Sequence, residues 1–187
     1  MRLLCRDASG VVARNRTSDA CDACLRITSH LQSGELLRRR DHGRVHLGLV
    51  PETVIEERPC WTLAVNRNQD LLGKTMLVLR RKCIAVVDID ADEWGLLRLE
   101  LQRLVPALER LFEPDQFNFA FLMNRDSQVH LHVIPRYASP RGWHDREFTD
   151  PHWGSAFGHE QRVLERAELQ MLSAEIRSEL QRDGAVP

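Results

Sequence analysis

The stretch FAFLMNRDSQVHLHVIPRY, residues 119–137, sets two histidines, His130 and His132, one residue apart in an otherwise apolar run. Strand side chains alternate between faces, so both imidazoles project from one side, their Cα atoms about 6.5–7 Å apart. Val129, Leu131 and Val133 then share the opposite side, where a core takes them. Gln128 joins the histidine side if the strand begins that early. Such a face is either the wet side of an ordinary sheet or a reaction site. Imidazole can be a nucleophile, a general acid or a metal ligand near neutral pH, so the rest of the chain has to decide.

Outward from this stretch the pattern continues. In FNFAFLMN (117–124), Phe117, Phe119 and Phe121 alternate with Asn118, Ala120 and Leu122, which predicts a strand. The short connection before His130 favours a hairpin between the two strands. Upstream, CWTLAV (60–65) and KTMLVLRRKCIAVV (74–87) read as an antiparallel pair, with Met76 and Val78 on one face and Leu77 and Leu79 on the other. Between these pairs, Trp94, Leu97, Leu101, Leu104, Leu108 and Leu111 fall three or four apart and predict one long helix. Asp90 with Glu93 is a capping-box-like start, and Pro106 predicts a kink or a break into two helices. Residues 138–160 read as a polar loop punctuated by Trp143, Phe148, Trp153 and Phe157, which are expected to anchor it to the sheet. A last helix is expected near 161–182, with Leu169, Leu172, Ile176 and Leu180 as its apolar stripe. Hairpins with segregated helices give an α+β fold rather than a doubly wound sheet.

The chain of 187 residues carries a formal net charge of −1, which gives no global attraction to nucleic acid or an acidic membrane surface. No run approaches the roughly 18 apolar residues of a membrane span, and residues 1–19 make a poor signal peptide. A cytoplasmic protein with reduced thiols is the expectation, since five cysteines without a secretion signal argue against a disulfide framework. Three parts follow: an accessory or poorly ordered segment over 1–50, a compact domain over 51–137, and the aromatic loop with its helix over 138–187. The basic run LRRRDHGR (37–44) is read as a solvated face.

HLHVIPRY, with FNFAFLMN before it and WTLAVNRNQDLLGKTMLVLRR (61–81) upstream, resembles the histidine-triad superfamily of nucleotide hydrolases and transferases. The family motif is His-φ-His-φ-His-φ-φ, with φ apolar; His130 and His132 match its second and third histidines, while Gln128 stands where the first would be. The resemblance implies an antiparallel sheet with a long helix and a C-terminal helix. It implies that His130 attacks the α-phosphorus to give a nucleotidyl-histidine, and that His132 donates to a phosphate oxygen or places the leaving group. Asn124 matches a phosphate-contacting position and Asn66 a ribose-binding one, so Asn66, Asn124 and Gln128 are the expected substrate contacts. The plainer reading of both asparagines is a turn residue bonding its own backbone.

Two departures from the family pattern bear on activity. Only RDSQV separates Asn124 from His130, so the Gly-rich phosphate loop of some members is largely missing; Ser127 or Arg125 is the candidate substitute. Gln128 cannot act as an acid near neutral pH. Structural zinc, which some members hold through an N-terminal CxxC and two histidines, is disfavoured here. Cys21 and Cys24 supply the thiolates, but the other positions read Lys82-Cys83 and Gln128, leaving Cys83 as a stand-in. No cofactor is obligatory on this reading. The expectation is a homodimeric hydrolase or nucleotidyl transferase acting on a small nucleotide, of dinucleoside polyphosphate or phosphoramidate type. A catalytically weak nucleotide-binding protein is the alternative, and a metal or thiol sensor built on Cys21 and Cys24 the third reading.

Overall fold

Alternation at residues 61–65 and 75–79 becomes the centre of a five-stranded sheet. The computed structural model describes residues 49–158 and 160–183. The readings made for residues 1–48, including Cys21, Cys24 and the basic run, lie outside the described residues. The strands are β1 (Val54–Glu57), β2 (Trp61–Val65), β3 (Thr75–Leu79), β4 (Gln116–Ala120) and β5 (His130–Arg136). Their order is β1-β2-β3-β5-β4, with every neighbouring pair antiparallel. The expected hairpin is β4–β5, and β5 lies between β4 and β3. The α+β class holds.

Each face of this sheet has one job. Leu63, Leu77, Leu79, Leu131 and Val133 bury into the main core. On the reverse face Ala64, Met76 and Val78 form a small separate cluster, and the cross-strand pairs Met76↔His132 and Val78↔His130 put the histidines beside it. The second strand region is shorter than expected, ending at Leu79 rather than reaching residue 87.

Helix α1 (Ala91–Phe112) begins with a full capping box: Glu93 N–H donates to the Asp90 carboxylate, and Asp90 N–H to that of Glu93. The break expected at Pro106 does not occur. One missing N–H costs a single backbone bond, and Leu104, Ala107 and Leu108, all fully buried around it, hold the helix in register. The buried face is also rotated from the expected stripe. Trp94 is 42% exposed, whereas Glu93 and Glu100 are buried. Arginines explain the rotation: Arg81 grips both Glu93 oxygens at 2.7 and 2.8 Å, and Arg58 and Arg103 take Glu100 at 2.9 and 2.8 Å.

The segment after β5 is not all loop. Two short strands, β6 (Arg141–Trp143) and β7 (Arg146–Phe148), form a hairpin that the sequence reading took as irregular. Trp143 and Phe148 are buried there as anchors, the Trp143 indole N–H donating to Glu175 at 2.8 Å. Helix α2 (Arg166–Asp183) buries Leu169, Leu172, Ile176 and Leu180 in the main core. Its Arg177 donates to the Val54 and Ile55 carbonyls, fixing β1 against it. Among the described residues no helix is long and apolar enough to cross a membrane.

Candidate active site

A cleft of about 540 Å³ opens over the reverse face of the sheet, with His130 and His132 in its wall. Asn66, from the turn after β2, and Asn124, from the loop after β4, reach the same cleft. Asn124 is exposed and lies four residues past the end of β4, not in the strand as expected. Of the sequence-derived candidates, four therefore converge.

Their hydrogen bonds run in one direction. The Asn66 Oδ1 accepts from Asn68 N–H at 2.9 Å, which leaves the Asn66 amide nitrogen as donor to His132 Nδ1 at 3.4 Å. The neutral His132 ring must then carry its proton on Nε2, which lies 3.1 Å from His130 Nε2. His130 in turn donates from Nδ1 to the Gln128 carbonyl at 2.7 Å. Only one proton arrangement satisfies every link, and it leaves the lone pair of His130 on Nε2. The plain backbone-turn role of Asn66 and its reach to the histidines are thus both present, on different atoms.

The Gln128 side chain is turned to the backbone. Its amide nitrogen donates to the Leu79 and Arg81 carbonyls at 2.6 and 2.7 Å, and its side-chain oxygen accepts from Cys83 N–H at 3.1 Å. The residue is 3% exposed, precedes β5 and does not line the cleft. The expected direct contact is corrected accordingly: Gln128 clamps the end of β3 and presents its own carbonyl to His130. Ser127 does not line the cleft either, whereas Arg125 and Asp126 do. The buried Cys83 thiol rests on the Ala85 carbonyl at 3.4 Å. Among the described residues no three His, Cys, Asp or Glu side chains converge as a metal site requires.

The sequence reading missed Lys74. It lines the cleft and is 7% exposed, with its ammonium 2.5 Å from the Asp70 carboxylate. Strand parity carried the signal, since Lys74 shares the face of Met76 and Val78. Gly73 before it has φ +77°, and a Cβ there would stand 2.7 Å from the Phe112 ring, so only glycine lets the chain turn into β3 against α1. Of the four loop aromatics, Phe157 reaches the cleft while Trp153 stays exposed.

Burial first, and then the nearby Lys74 ammonium, pushes His132 down to about 4. The ring therefore stays neutral through mildly acidic solution and keeps its single N–H on Nε2. In an NMR titration the His132 ring signals should stay flat from pH 7 to 5 and move with a midpoint near 4. Lys74→Met should raise that midpoint by removing one opposing charge. A wild-type midpoint near 6.5 would mean a solvated ring.

No family model matches the sequence. No curated protein matches it either. Solved structures do. A histidine triad protein from Bradyrhizobium japonicum is 25% identical, covering 73% of this chain and 96% of that one, with a TM-score of 0.55. A histidine triad protein from Marinobacter aquaeolei is 22% identical over 75% and 98%, with a TM-score of 0.57. The Plasmodium falciparum diadenosine triphosphate hydrolase is 16% identical over 83% and 97%, with a TM-score of 0.58. These likenesses define a known class: this chain has the histidine-triad fold.

Proposed function

We propose that the protein is a nucleotide hydrolase or nucleotidyl transferase that works at the α-phosphate through a nucleotidyl-His130 intermediate. The observation that carries this reading is the directed hydrogen-bond chain, in which His130, a residue of the cleft wall, donates from Nδ1 and keeps Nε2 as an acceptor. Nε2 forms the bond to phosphorus, and the bond from phosphorus to the leaving group breaks with its electron pair going to that group. The proton stays on His130 Nδ1, hydrogen-bonded to the Gln128 carbonyl, which supports the cationic ring that forms. His132 turns its Nε2–H from His130 to a phosphate oxygen; as a neutral imidazole it donates a hydrogen bond, not a proton. Water or another acceptor then releases the nucleoside monophosphate. That the diadenosine triphosphate hydrolase shares the fold is consistent with this reading.

The leaving group follows from the same chemistry. With the Gln128 side chain turned to the backbone and His132 held neutral, neither of them can protonate the leaving atom. A phosphate anion departs without a proton; an amine does not. Dinucleoside polyphosphates are therefore favoured over phosphoramidates. The cation pairing is local, and the ligand is a small nucleotide rather than nucleic acid. A homodimer fits β4, a sheet edge carrying Phe119 at 49% exposure, with Trp94 and Phe121 in edge-to-face contact close by in sequence and on α1. No step in this mechanism calls for a metal.

The test is release of nucleoside monophosphate from diadenosine triphosphate, adenosine 5′-phosphoramidate and a sugar nucleotide. The polyphosphate should turn over fastest, and a denaturing quench should trap radiolabel on the protein. The engaged Gln128 amide also favours a second reading, a nucleotide-binding protein with little turnover. Tight binding without release of any product would select it.

A further inference from the structure

We propose that Lys74 is a second anion-binding point in the cleft, taking a phosphate group of the nucleotide other than the one His130 attacks. The inference rests on the nucleotide reading of the site and adds a ligand requirement to it. Lys74 has three N–H donors, and Asp70 accepts one of them. A buried Lys–Asp pair is a poor source of stability compared with apolar packing, whereas a lysine in a cleft wall is a common phosphate ligand. The only other cation among the described lining residues is Arg125, which is exposed and neighbours Asp126. The histidines and asparagines of the wall are neutral, so Lys74 is the buried positive charge available to a polyanion. Its field already reaches the reaction centre, where it opposes protonation of His132.

Register argues that the phosphate at Lys74 is not the reacting one. Val78 pairs with His130 and Met76 with His132, and Lys74 is the next residue on that face. Its Cα is thus about 13 Å along β3 from the partner of His130. Tied back to Asp70, its amine serves a group beyond His132. Two sources share this chemistry: a further phosphate in the phosphate chain, or a phosphate on the ribose, since the turn carrying Asn66 lies across from Lys74.

Binding calorimetry in a His130→Ala background, where ligand is not consumed, separates these cases with AMP, ADP and adenosine 3′,5′-bisphosphate. One of the two longer ligands should bind about tenfold or more tighter than AMP, as a charged hydrogen bond provides. Lys74→Met should erase that increment and leave AMP within about twofold, and Lys74→Arg should restore most of it. An advantage for ADP assigns the chain phosphate, and one for the bisphosphate assigns the ribose. Equal weakening of all three ligands, or no gain over AMP, overturns the proposal in favour of a purely structural pair. Should Lys74→Met fail to fold, Asp70→Asn/Lys74→Met removes both charges and is read the same way. If no adenosine ligand binds, the nucleotide reading fails, and inorganic pyrophosphate decides Lys74: binding lost in Lys74→Met supports the anion point, and unchanged or absent binding overturns it.

Discussion

His130→Ala should cut turnover of any accepted nucleotide by about four to six powers of ten, the scale seen when a covalent nucleophile is removed. Nucleotide binding should change far less, because the imidazole supplies one neutral contact while Asn66, Asn124 and Lys74 remain in the cleft wall. The protein should still fold, since His130 is on the cleft side of β5 and Leu131 and Val133 keep the core intact. Truncation strands the Gln128 carbonyl and the His132 Nε2–H, both of which the opened space lets water reach. The measurement is product release alongside binding, wild type against variant. Equal turnover in the two would place the nucleophile elsewhere. Two inert proteins that both bind nucleotide would leave the binding-protein reading standing.

What could be read from the sequence follows from what periodicity encodes. A strand with His130 and His132 on one side and Leu131 and Val133 on the other has one sensible burial, and the sheet adopts it. The helix start at Asp90 was legible because a capping box is local. Helix rotation was not, because it depends on Arg81 and Arg58 arriving from distant segments to neutralise Glu93 and Glu100, and charged residues read alone are placed outside. Gln128 was misassigned for a related reason. Its position in the motif suggested substrate, while its partners, Leu79, Arg81 and Cys83, come from the end of a strand and the segment just after it, some 45 residues earlier. Lys74 lay within reach of a parity argument, but a lysine at a strand start is ordinarily solvated, so nothing local marked it as buried. Side chains whose role is set by long-range partners are those that alternation cannot resolve.

Arg136→Met should lower stability by about 3–5 kcal/mol, because it leaves a buried carboxylate without its cation. Arg136 and Asp150 side chains are 3% and 1% exposed. All five guanidinium donors are used: Asp150 at 2.6 and 3.2 Å, the Asn118 side chain at 2.6 Å, and the Ser155 and His152 carbonyls at 3.0 and 2.7 Å. Lysine cannot reproduce that fork, so Arg136→Lys should recover little. At roughly 2–4 °C per kcal/mol for a chain of this size, the melting temperature should fall by about 6–20 °C. Burial alone would raise the Asp150 carboxyl; the guanidinium, with the Tyr137 and His152 amides, outweighs it and holds the group below the usual carboxylate range. In the wild type this contribution is present above pH ~4 and is lost as pH falls through the lowered value. In Arg136→Met burial acts unopposed by the cation, so Asp150 takes up its proton at a higher pH and acid relieves the variant. The gap between the two melting temperatures should therefore narrow from pH 7 towards pH 4. A constant gap would mean that lost packing of the arginine stem, and not the stranded charge, destabilises the variant. The same substitution bears on the cleft, because the segment held by Arg136 at His152 and Ser155 is the one that delivers Phe157 to its wall. At temperatures where the variant remains folded, KM should rise while kcat, set by His130 on the rigid sheet, stays closer to wild type.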